Sequence, residues 1–212
     1  MSAWDDRAAR ALWLADRYPA GGEILAFYAR LAEWQGAARG GAEECFPSLL
    51  ELVRRIGPPL LREAAQGLEA LPDLESPAPL DFFARAARQP FAATTGCGWC
   101  ARPPLTGCLV PQGEGQAVEL VCALCFGRRP FFRLRCPACG QAKEGRLVSY
   151  AAPEFPHLQV QACEDCRAYL LLVDRARDPE AIPEVDELAG LPLDLWAQQQ
   201  GYRKMQRNLA GV

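Results

Sequence analysis

The chain has 212 residues, half of them hydrophobic, which is enough for one large domain or two smaller ones with a packed core. Its net charge of −3 gives no overall attraction to nucleic acid or to an anionic membrane surface. The acidic N-terminus lacks the apolar run of a secretory signal, and the longest aliphatic run, near residues 169–173, is too short to span a bilayer. We therefore expect a cytoplasmic protein without membrane insertion, whose cysteines stay reduced.

Residues 1–92 are predicted to form a helical domain. Ser2 and Asp5 resemble a capping box at the start of a first helix. Apolar residues at helical spacing predict further helices, including one near 49–56, one over 60–71 and one over 80–88. Each helix is interpreted as part of a packed scaffold.

Four Cys-x-x-Cys pairs follow the helical part, and they contain eight of the ten cysteines. The pairs are Cys97/Cys100, Cys122/Cys125, Cys136/Cys139 and Cys163/Cys166. Two cysteines separated by two residues can direct both sulfurs at one point. Two such pairs supply the tetrahedral four-thiolate shell that Zn²⁺ prefers and that mononuclear iron accepts. The spacing predicts two mononuclear four-Cys sites that hold iron or zinc.

The four pairs can combine in two ways. In chain order, the first pair joins the second and the third joins the fourth, so that each half closes as a small ribbon; an interleaved arrangement is the alternative. We favour the chain order. A disulfide framework would need an oxidising compartment, and a thioredoxin-type centre would need one such motif at the start of a helix.

Short strands between the pairs and a helical tail complete the predicted elements. Strands are expected over 118–121, 131–134, 147–150, 158–161 and 169–173, and helices over 183–188 and 192–207. The predicted fold class is α+β. The predicted domains are a helical domain (1–92), two rubredoxin-like or zinc-ribbon modules (93–134 and 135–180) and a helical C-terminal tail (181–212).

Basic residues cluster between and after the middle pairs: Arg128, Arg129, Arg133, Arg135, Lys143 and Arg146. Four thiolates on one divalent ion leave a charge of about −2, so compensation of that charge on a solvated surface is one explanation. Docking of an acidic segment of a partner, mainly through Arg128, Arg129, Arg133 and Arg135, is the second. Nucleic-acid binding is a third, which the acidic chain and the lack of an aromatic stacking platform disfavour.

The sequence gives little support for catalysis. A closed four-Cys site has no open position for water or substrate, unlike a catalytic zinc. The single histidine, His157, is expected at the surface or at a strand end, and Glu164 and Asp165 lie inside the fourth pair as solvated or metal-site groups. No catalytic residues are predicted.

The central segment CALCFGRRPFFRLRCPACG and the later ACEDCRAYLLLVDRARDPE resemble the formate dehydrogenase accessory protein family, FdhE. The order of the four pairs and the Asp178-Pro179 step agree with that family. The tail VDELAGLPLD…GYRKMQRN is similar to the family's closing motif. The tail residues that carry the similarity are Asp186, Leu188, Leu191, Asp194, Gly201, Tyr202 and Asn208.

The resemblance implies a non-catalytic cytoplasmic protein with a helical part and two rubredoxin-like modules that hold iron or zinc. Such proteins are needed for active molybdenum- or tungsten-containing formate dehydrogenase and are expected to bind its catalytic subunit. A rubredoxin-like electron-transfer protein and a zinc-ribbon nucleic-acid binder are the alternatives. In one departure from the family, only the third pair keeps a glycine after its second cysteine. The first, second and fourth pairs have Ala101, Phe126 and Arg167 at that position. Glycine favours a backbone turn with positive φ at that position.

Overall fold

The computed structural model describes residues 2–92, 102–209 and 211. It divides into two compact units, one with the described residues up to 92 and one with those from 102 to 209. Helices fill the first unit and a sheet with two helices fills the second, so the α+β class is confirmed. No helix in the described ranges is long and apolar enough to cross a membrane.

The first unit, as described, consists of five α-helices: α1 Ala3–Arg17, α2 Gly22–Ala37, α3 Ala42–Ile56, α4 Pro59–Gln66 and α5 Leu80–Arg88. The predicted capping box is confirmed at the start of α1, where the Ser2 N–H donates to Asp5 Oδ2 (2.6 Å) and the Asp5 N–H donates to Ser2 Oγ (3.2 Å). This exchange satisfies two backbone groups that a helix start leaves without partners.

Aromatic side chains pack the helical unit together. The Phe82 ring lies 5.1 Å from that of Phe83 and 6.0 Å from that of Phe27, measured between centroids. The rings come from α2 and α5, and the Phe83 ring also meets Phe46 of α3. These buried contacts join three helices that are far apart along the chain.

Two of the predicted helices differ in length from those observed. α4 ends at Gln66 rather than at residue 71, because Gly67 follows it and the Arg54 guanidinium caps its last turn through the Ala65 carbonyl oxygen (2.8 Å). α3 begins at Ala42, well before residue 49, and the glutamates in its first turn favour that earlier start.

Seven strands of the second unit form one sheet in the described ranges: β1 Pro104–Gln112, β2 Gly115–Cys122, β3 Arg128–Phe131, β4 Leu147–Ala151, β5 Leu158–Cys163, β6 Ala168–Asp174 and β7 Arg203–Lys204. The strand order is β3-β2-β1-β6-β5-β4, and β7 also pairs with β6. Neighbouring strands run antiparallel except for β1 with β6 and β6 with β7, which run parallel.

The two cysteine-rich halves share this sheet. β1 of the first half pairs with β6 of the second, with Gly107 opposite Leu172 and Leu109 opposite Asp174. Close approach at this junction requires glycine, since a Cβ on Gly107 would lie 2.3 Å from Leu172 Cδ2. The boundary between two modules at residues 134 and 135 stays a prediction.

Apolar side chains cover both faces of the sheet. One face carries a cluster that includes Leu158, Val160 and Leu171, and α6 (Pro183–Ala189) and α7 (Leu191–Gln199) belong to this part of the unit. The other face carries a second cluster: Leu109, Val118, Leu120, Leu170 and Leu172, with Phe131 and Met205 partly buried against it.

Several predicted strands and the tail need correction. β1 was not predicted, because Pro104, Gly107 and Pro111 lower its apparent β-propensity. β3 lies at 128–131 rather than 131–134. The tail is helical only to Gln199: Gly201 has φ +79°, a conformation that ends the helix, and β7 follows in place of the predicted helix to residue 207.

Candidate metal centre

Four of the predicted ligands come together in the second unit: Cys136, Cys139, Cys163 and Cys166. Their sulfur atoms all lie within 4.8 Å of one another, with 3.7 Å between Cys136 and Cys166 and 3.8 Å between Cys139 and Cys163. A tetrahedral metal with bonds of about 2.3 Å to sulfur has sulfur–sulfur edges of about 3.8 Å. The four thiols therefore have the spacing of a tetrahedral metal shell, and they combine in chain order.

The backbone of each cysteine turn bends at the residue after the second cysteine. The Gly140 N–H donates to the Cys136 carbonyl oxygen and the Arg167 N–H to that of Cys163, both at 2.9 Å. Gly140 has φ +75° and Arg167 has φ +57°. Phe126 after the second pair has φ +56°, and it and Arg167 are the non-glycine residues of the described chain with positive φ. The same turn thus forms with and without the expected glycine.

Main-chain N–H groups surround the sulfurs. The N–H of Gln141 points at Cys139 and that of Ala168 at Cys166. Burial raises the pKa of Cys136 to about 12 and also raises the pKa of Cys166, whereas the Gln141 N–H lowers the pKa of the exposed Cys139. The buried thiols favour the protonated form in the absence of a cation. A divalent metal would hold them as thiolates, and the N–H groups would share the charge.

The second pair forms the same kind of turn between β2 and β3. The Leu124 N–H donates to Cys122 Sγ (3.5 Å) and the Gly127 N–H to Cys125 Sγ (3.4 Å), and both cysteines are buried. Their two predicted partners, Cys97 and Cys100, lie outside the described residues. The first four-Cys site therefore stays a prediction.

The charged side chains within the fourth pair contact the tail and the residue that precedes β4. Glu164 accepts hydrogen bonds from Arg167 Nη1 (2.9 Å) and from the Tyr202 hydroxyl, and the Arg167 guanidinium lies 3.8 Å from the centroid of the Tyr202 ring. Asp165 accepts from Arg146 Nε (2.6 Å). Glu164 and the exposed Asp165 thus make contacts that hold the fourth cysteine turn, and Arg146 is part of that arrangement.

The four arginines predicted to contact a partner lie on β3 and on the segment after it: Arg128, Arg129, Arg133 and Arg135. All four are exposed, and Phe132 and Leu134 between them are each 75% exposed. The segment thus presents positive charge and apolar surface together. Its contact with a partner stays a prediction.

His157 lies directly before β5, at the strand end that was one of the two expected positions, and it is buried rather than at the surface. Its Nε2 lies 3.0 Å from Asp186 Oδ1, and Asp186 Oδ2 accepts from the Ile182 N–H (2.8 Å). The pair ties the start of β5 to the start of α6. The polar neighbourhood of His157 depends on Asp186, 29 residues later, so local sequence gave no signal for it.

A second buried cluster holds the tail in place, and the sequence did not predict its contacts. Lys204 Nζ binds Glu187 Oε1 and Asp194 Oδ2 (2.6 Å), and Asn208 Nδ2 donates to Glu187 Oε1 (3.2 Å). The three charged side chains are at most 2% exposed. Burial raises the pKa of Glu187 to about 7, and attraction to Lys204 opposes that rise. Asp194 and Asn208 of the tail motif thus join β7 to α6 and α7.

The part of the chain with the third and fourth cysteine pairs and the tail matches a known domain model. Residues 134–210 match the family model described as "FdhE, C-terminal domain". The chain is 25% identical over 194 residues to a "Protein FdhE homolog" of Aquifex aeolicus, which covers 78% of this chain and 69% of that protein. It is 32% identical over 119 residues to a "Protein FdhE homolog" of Stutzerimonas stutzeri, which covers 54% of this chain. The chain thereby spans only 38% of the Stutzerimonas relative.

A solved structure has a similar fold. The crystal structure of the FdhE protein from Pseudomonas aeruginosa superposes with a TM-score of 0.68 at 24% identity, and the match covers 97% of this chain and 94% of that chain. This likeness concerns the fold. Residues 134–210 thus resemble the C-terminal domain of the FdhE family, and the chain is similar to an FdhE homologue over most of its length and shares the fold of an FdhE protein.

Proposed function

We propose that this protein is an accessory factor for the maturation of formate dehydrogenase, and that it binds the catalytic subunit of that enzyme in the cytoplasm. The similarity of the chain to FdhE proteins carries the proposal. The four converging thiols support it, because a closed four-thiolate site stabilises a fold and leaves no position for substrate. In this proposal the protein itself is not an enzyme.

Two metal sites hold the cysteine-rich part in its binding conformation. The described site would hold zinc or iron through Cys136, Cys139, Cys163 and Cys166. The second would use Cys97, Cys100, Cys122 and Cys125. The bound metal would supply a fixed junction between two cysteine turns and would contribute its binding free energy to folding. The basic segment beside the third pair would then face an acidic region of the client.

Electron transfer is the second candidate function. Cys139 is exposed, whereas Cys136 beside it is buried. An iron at this site would have one sulfur at the surface, as an electron-transfer centre requires. A preparation made without oxygen that shows no reversible change in visible absorption on reduction would exclude this function.

The proposal is tested by capture from the source cell without oxygen, with the tagged full chain as bait. We expect the catalytic subunit of formate dehydrogenase among the retained proteins, identified by mass spectrometry. In a strain that lacks the native protein, the wild-type chain should restore formate dehydrogenase activity. A Cys136→Ser variant should restore less than about a tenth of it, because the loss of one ligand opens the metal site.

Cys45 provides the matched control, since this free cysteine of α3 lies far along the chain from the four pairs. Cys45→Ser should restore full activity. Capture of no formate dehydrogenase subunit by the wild-type chain, or full activity with Cys136→Ser, would contradict the proposal.

A further inference from the structure

Two adjoining cavities open on the second unit beside the third cysteine turn. One has a volume of about 400 Å³ and is lined by residues of β1, β6 and β7 with Ala138. The other has a volume of about 250 Å³ and is lined by residues of β1, β2 and β3. Both include Pro103, Pro104 and Pro137 in their walls. We call the pair of cavities the proline groove.

The walls of the groove are largely apolar. Leu120 and Phe131 line the smaller cavity and Met205 lines the larger one. These three side chains belong to the same apolar cluster of the sheet, and Phe131 and Met205 lie at its partly exposed margin. The groove therefore reaches the apolar core of the sheet in both cavities. An apolar side chain of a bound molecule would remove more of the surface of Phe131 and Met205 from water.

Positive charge lines both cavities of the groove. Arg129 and Arg102 line the smaller cavity, and Arg203 lines the larger one. None of the described lining residues is acidic, although the chain as a whole has a net charge of −3. Arg102 Nε is buried and has no hydrogen-bond partner within the described chain. A buried N–H donor of this kind is stabilised when a bound acceptor reaches it.

We propose that the proline groove binds an extended segment of the client polypeptide in which acidic residues flank apolar ones. This inference rests on the proposed function and identifies where the catalytic subunit would dock. Two cavities separated by Pro103 and Pro104 match two side chains of one extended segment, and the flanking carboxylates meet Arg129 and Arg203. Of the four arginines predicted from the sequence, Arg129 is the one that lines the groove.

Nucleic acid fits the groove less well. Single strands bind where aromatic rings offer stacking platforms along a basic track. Phe131 is the one aromatic residue among the described residues of the walls, and Pro103, Pro104 and Pro137 line both cavities. Largely apolar walls with a few cations suit a peptide better than a phosphate backbone.

The test measures binding of the purified catalytic subunit of formate dehydrogenase to the metal-loaded full chain by biolayer interferometry, without oxygen. We expect the double charge reversal Arg129→Glu/Arg203→Glu to raise Kd about tenfold or more and to reduce the dependence of association on salt. Both side chains are exposed, so folding should persist. Metal content and far-UV circular dichroism check this, and Arg129→Gln/Arg203→Gln serves as a milder second variant.

Arg207→Glu is the matched control, because Arg207 is exposed on the same tail but does not line the groove. Its Kd should stay within about twofold of wild type. Overlapping peptides of the catalytic subunit should compete for binding, and the effective ones should contain apolar residues flanked by carboxylates.

The results of these binding measurements distinguish the groove assignment from the proposed function. Wild-type binding that the double reversal leaves unchanged overturns the groove assignment and leaves the proposed function standing. Equal weakening by Arg207→Glu also overturns it, since the net charge rather than the groove would then determine binding. Competition by a single-stranded oligonucleotide but by none of the peptides assigns the groove to nucleic acid. A wild-type chain that does not bind the subunit overturns the proposed function and the groove assignment with it.

Discussion

At the scale of single residues, backbone conformation decides where the sulfurs point. Phe126 and Arg167 hold positive φ without the freedom of glycine, which costs on the order of 1 kcal/mol each. Arg167 has compensating contacts, since it binds Glu164 and stacks on Tyr202. A side chain at this position is thus tolerated where its own contacts offset the strain.

Gly140 provides the direct test of this conformation. It has φ +75°, and a Cβ added to it would lie 3.4 Å from the nearest atom, Arg135 Nη2, so space is adequate and the backbone alone resists substitution. We expect Gly140→Ala to lower the free energy of unfolding of the metal-loaded protein by about 1 kcal/mol. Metal affinity should fall about fivefold with it. Urea denaturation and competition with a chelator measure the two quantities.

Gly115→Ala is the control for that substitution, because Gly115 lies in the same unit without positive φ and with its nearest neighbour at 3.9 Å. It should change the unfolding free energy by less than about 0.5 kcal/mol. Equal effects of the two substitutions would show that the turn after the third pair is not under conformational constraint.

At the scale of elements, the tail depends on charge buried between β7, α6 and α7. Removal of one member of a buried ion pair lowers the free energy of unfolding, because the other charge is left without a partner in a medium of low polarity. Glu187 is the sensitive member of the cluster, since burial raises the pKa of its carboxyl to about 7 from the ordinary 4.5. The folded tail therefore binds a proton at this carboxyl more tightly than the unfolded chain does, because burial outweighs the attraction of Lys204.

The pH dependence of stability should report this carboxyl. The folded protein binds the proton more tightly than the unfolded chain, so the stabilisation is complete below about pH 4.5 and is lost as the pH rises through about 7. We expect the unfolding free energy of wild type, relative to Glu187→Gln, to fall by roughly 2 kcal/mol between pH 5 and pH 7. The comparison cancels the pH dependence of the metal sites, which both proteins share. The unfolding free energy of Glu180→Gln, a change at an exposed site, should have the same pH dependence as that of wild type. The same pH dependence in Glu187→Gln as well would refute the assignment to Glu187.

Local sequence patterns predict some of the helices, strands and turns, whereas the others depend on contacts between residues far apart in the chain. The helices of the first unit and the turns of the second, third and fourth cysteine pairs follow from spacing, capping and Cys-x-x-Cys geometry, which are properties of neighbouring residues. β1 was not predicted because its prolines and Gly107 lower its β-propensity and its strand conformation depends on pairing with β2 and β6, and β7 is a strand because β6 lies beside it. Long-range contact likewise determines the hydrogen bond of His157 and the ion pair of Lys204, whose partners lie 29 and 17 residues away. Which residues surround a buried charge is decided by the fold.

At the scale of the whole molecule, the sheet connects metal binding to the stability of the second unit. Thiolate metal sites contribute on the order of 10 kcal/mol to the folding of small modules. The described site joins the turn after β3 to the turn between β5 and β6, and β6 pairs directly with β1. Loss of its metal should therefore loosen strands of both halves.

Hydrogen exchange after metal removal tests this connection. Under chelation in reducing, oxygen-free buffer, we expect residues 102–209 to lose protection before helices α1–α5 do, and the Cys163→Ser variant should lose protection in β1 as well as in β5 and β6. Cys45→Ser should keep the wild-type pattern. Protection that persists over β1, β2 and β3 in Cys163→Ser would instead mean that the halves are two independent modules.

The parallel pairing of β1 with β6 also means that the sheet can be completed only late in translation. The Thr106 hydroxyl donates to the carbonyl oxygen of Leu171, 65 residues further along the chain (2.7 Å). While the ribosome is still adding those residues, the hairpin of β1 and β2 has one edge without a partner, and an open edge invites pairing with other chains. That edge closes only after the last cysteine pair has been translated. The nascent chain thus has an open sheet edge until its final ligands have emerged, and a shortage of metal in the cell would leave β6 less firmly held against that edge afterwards.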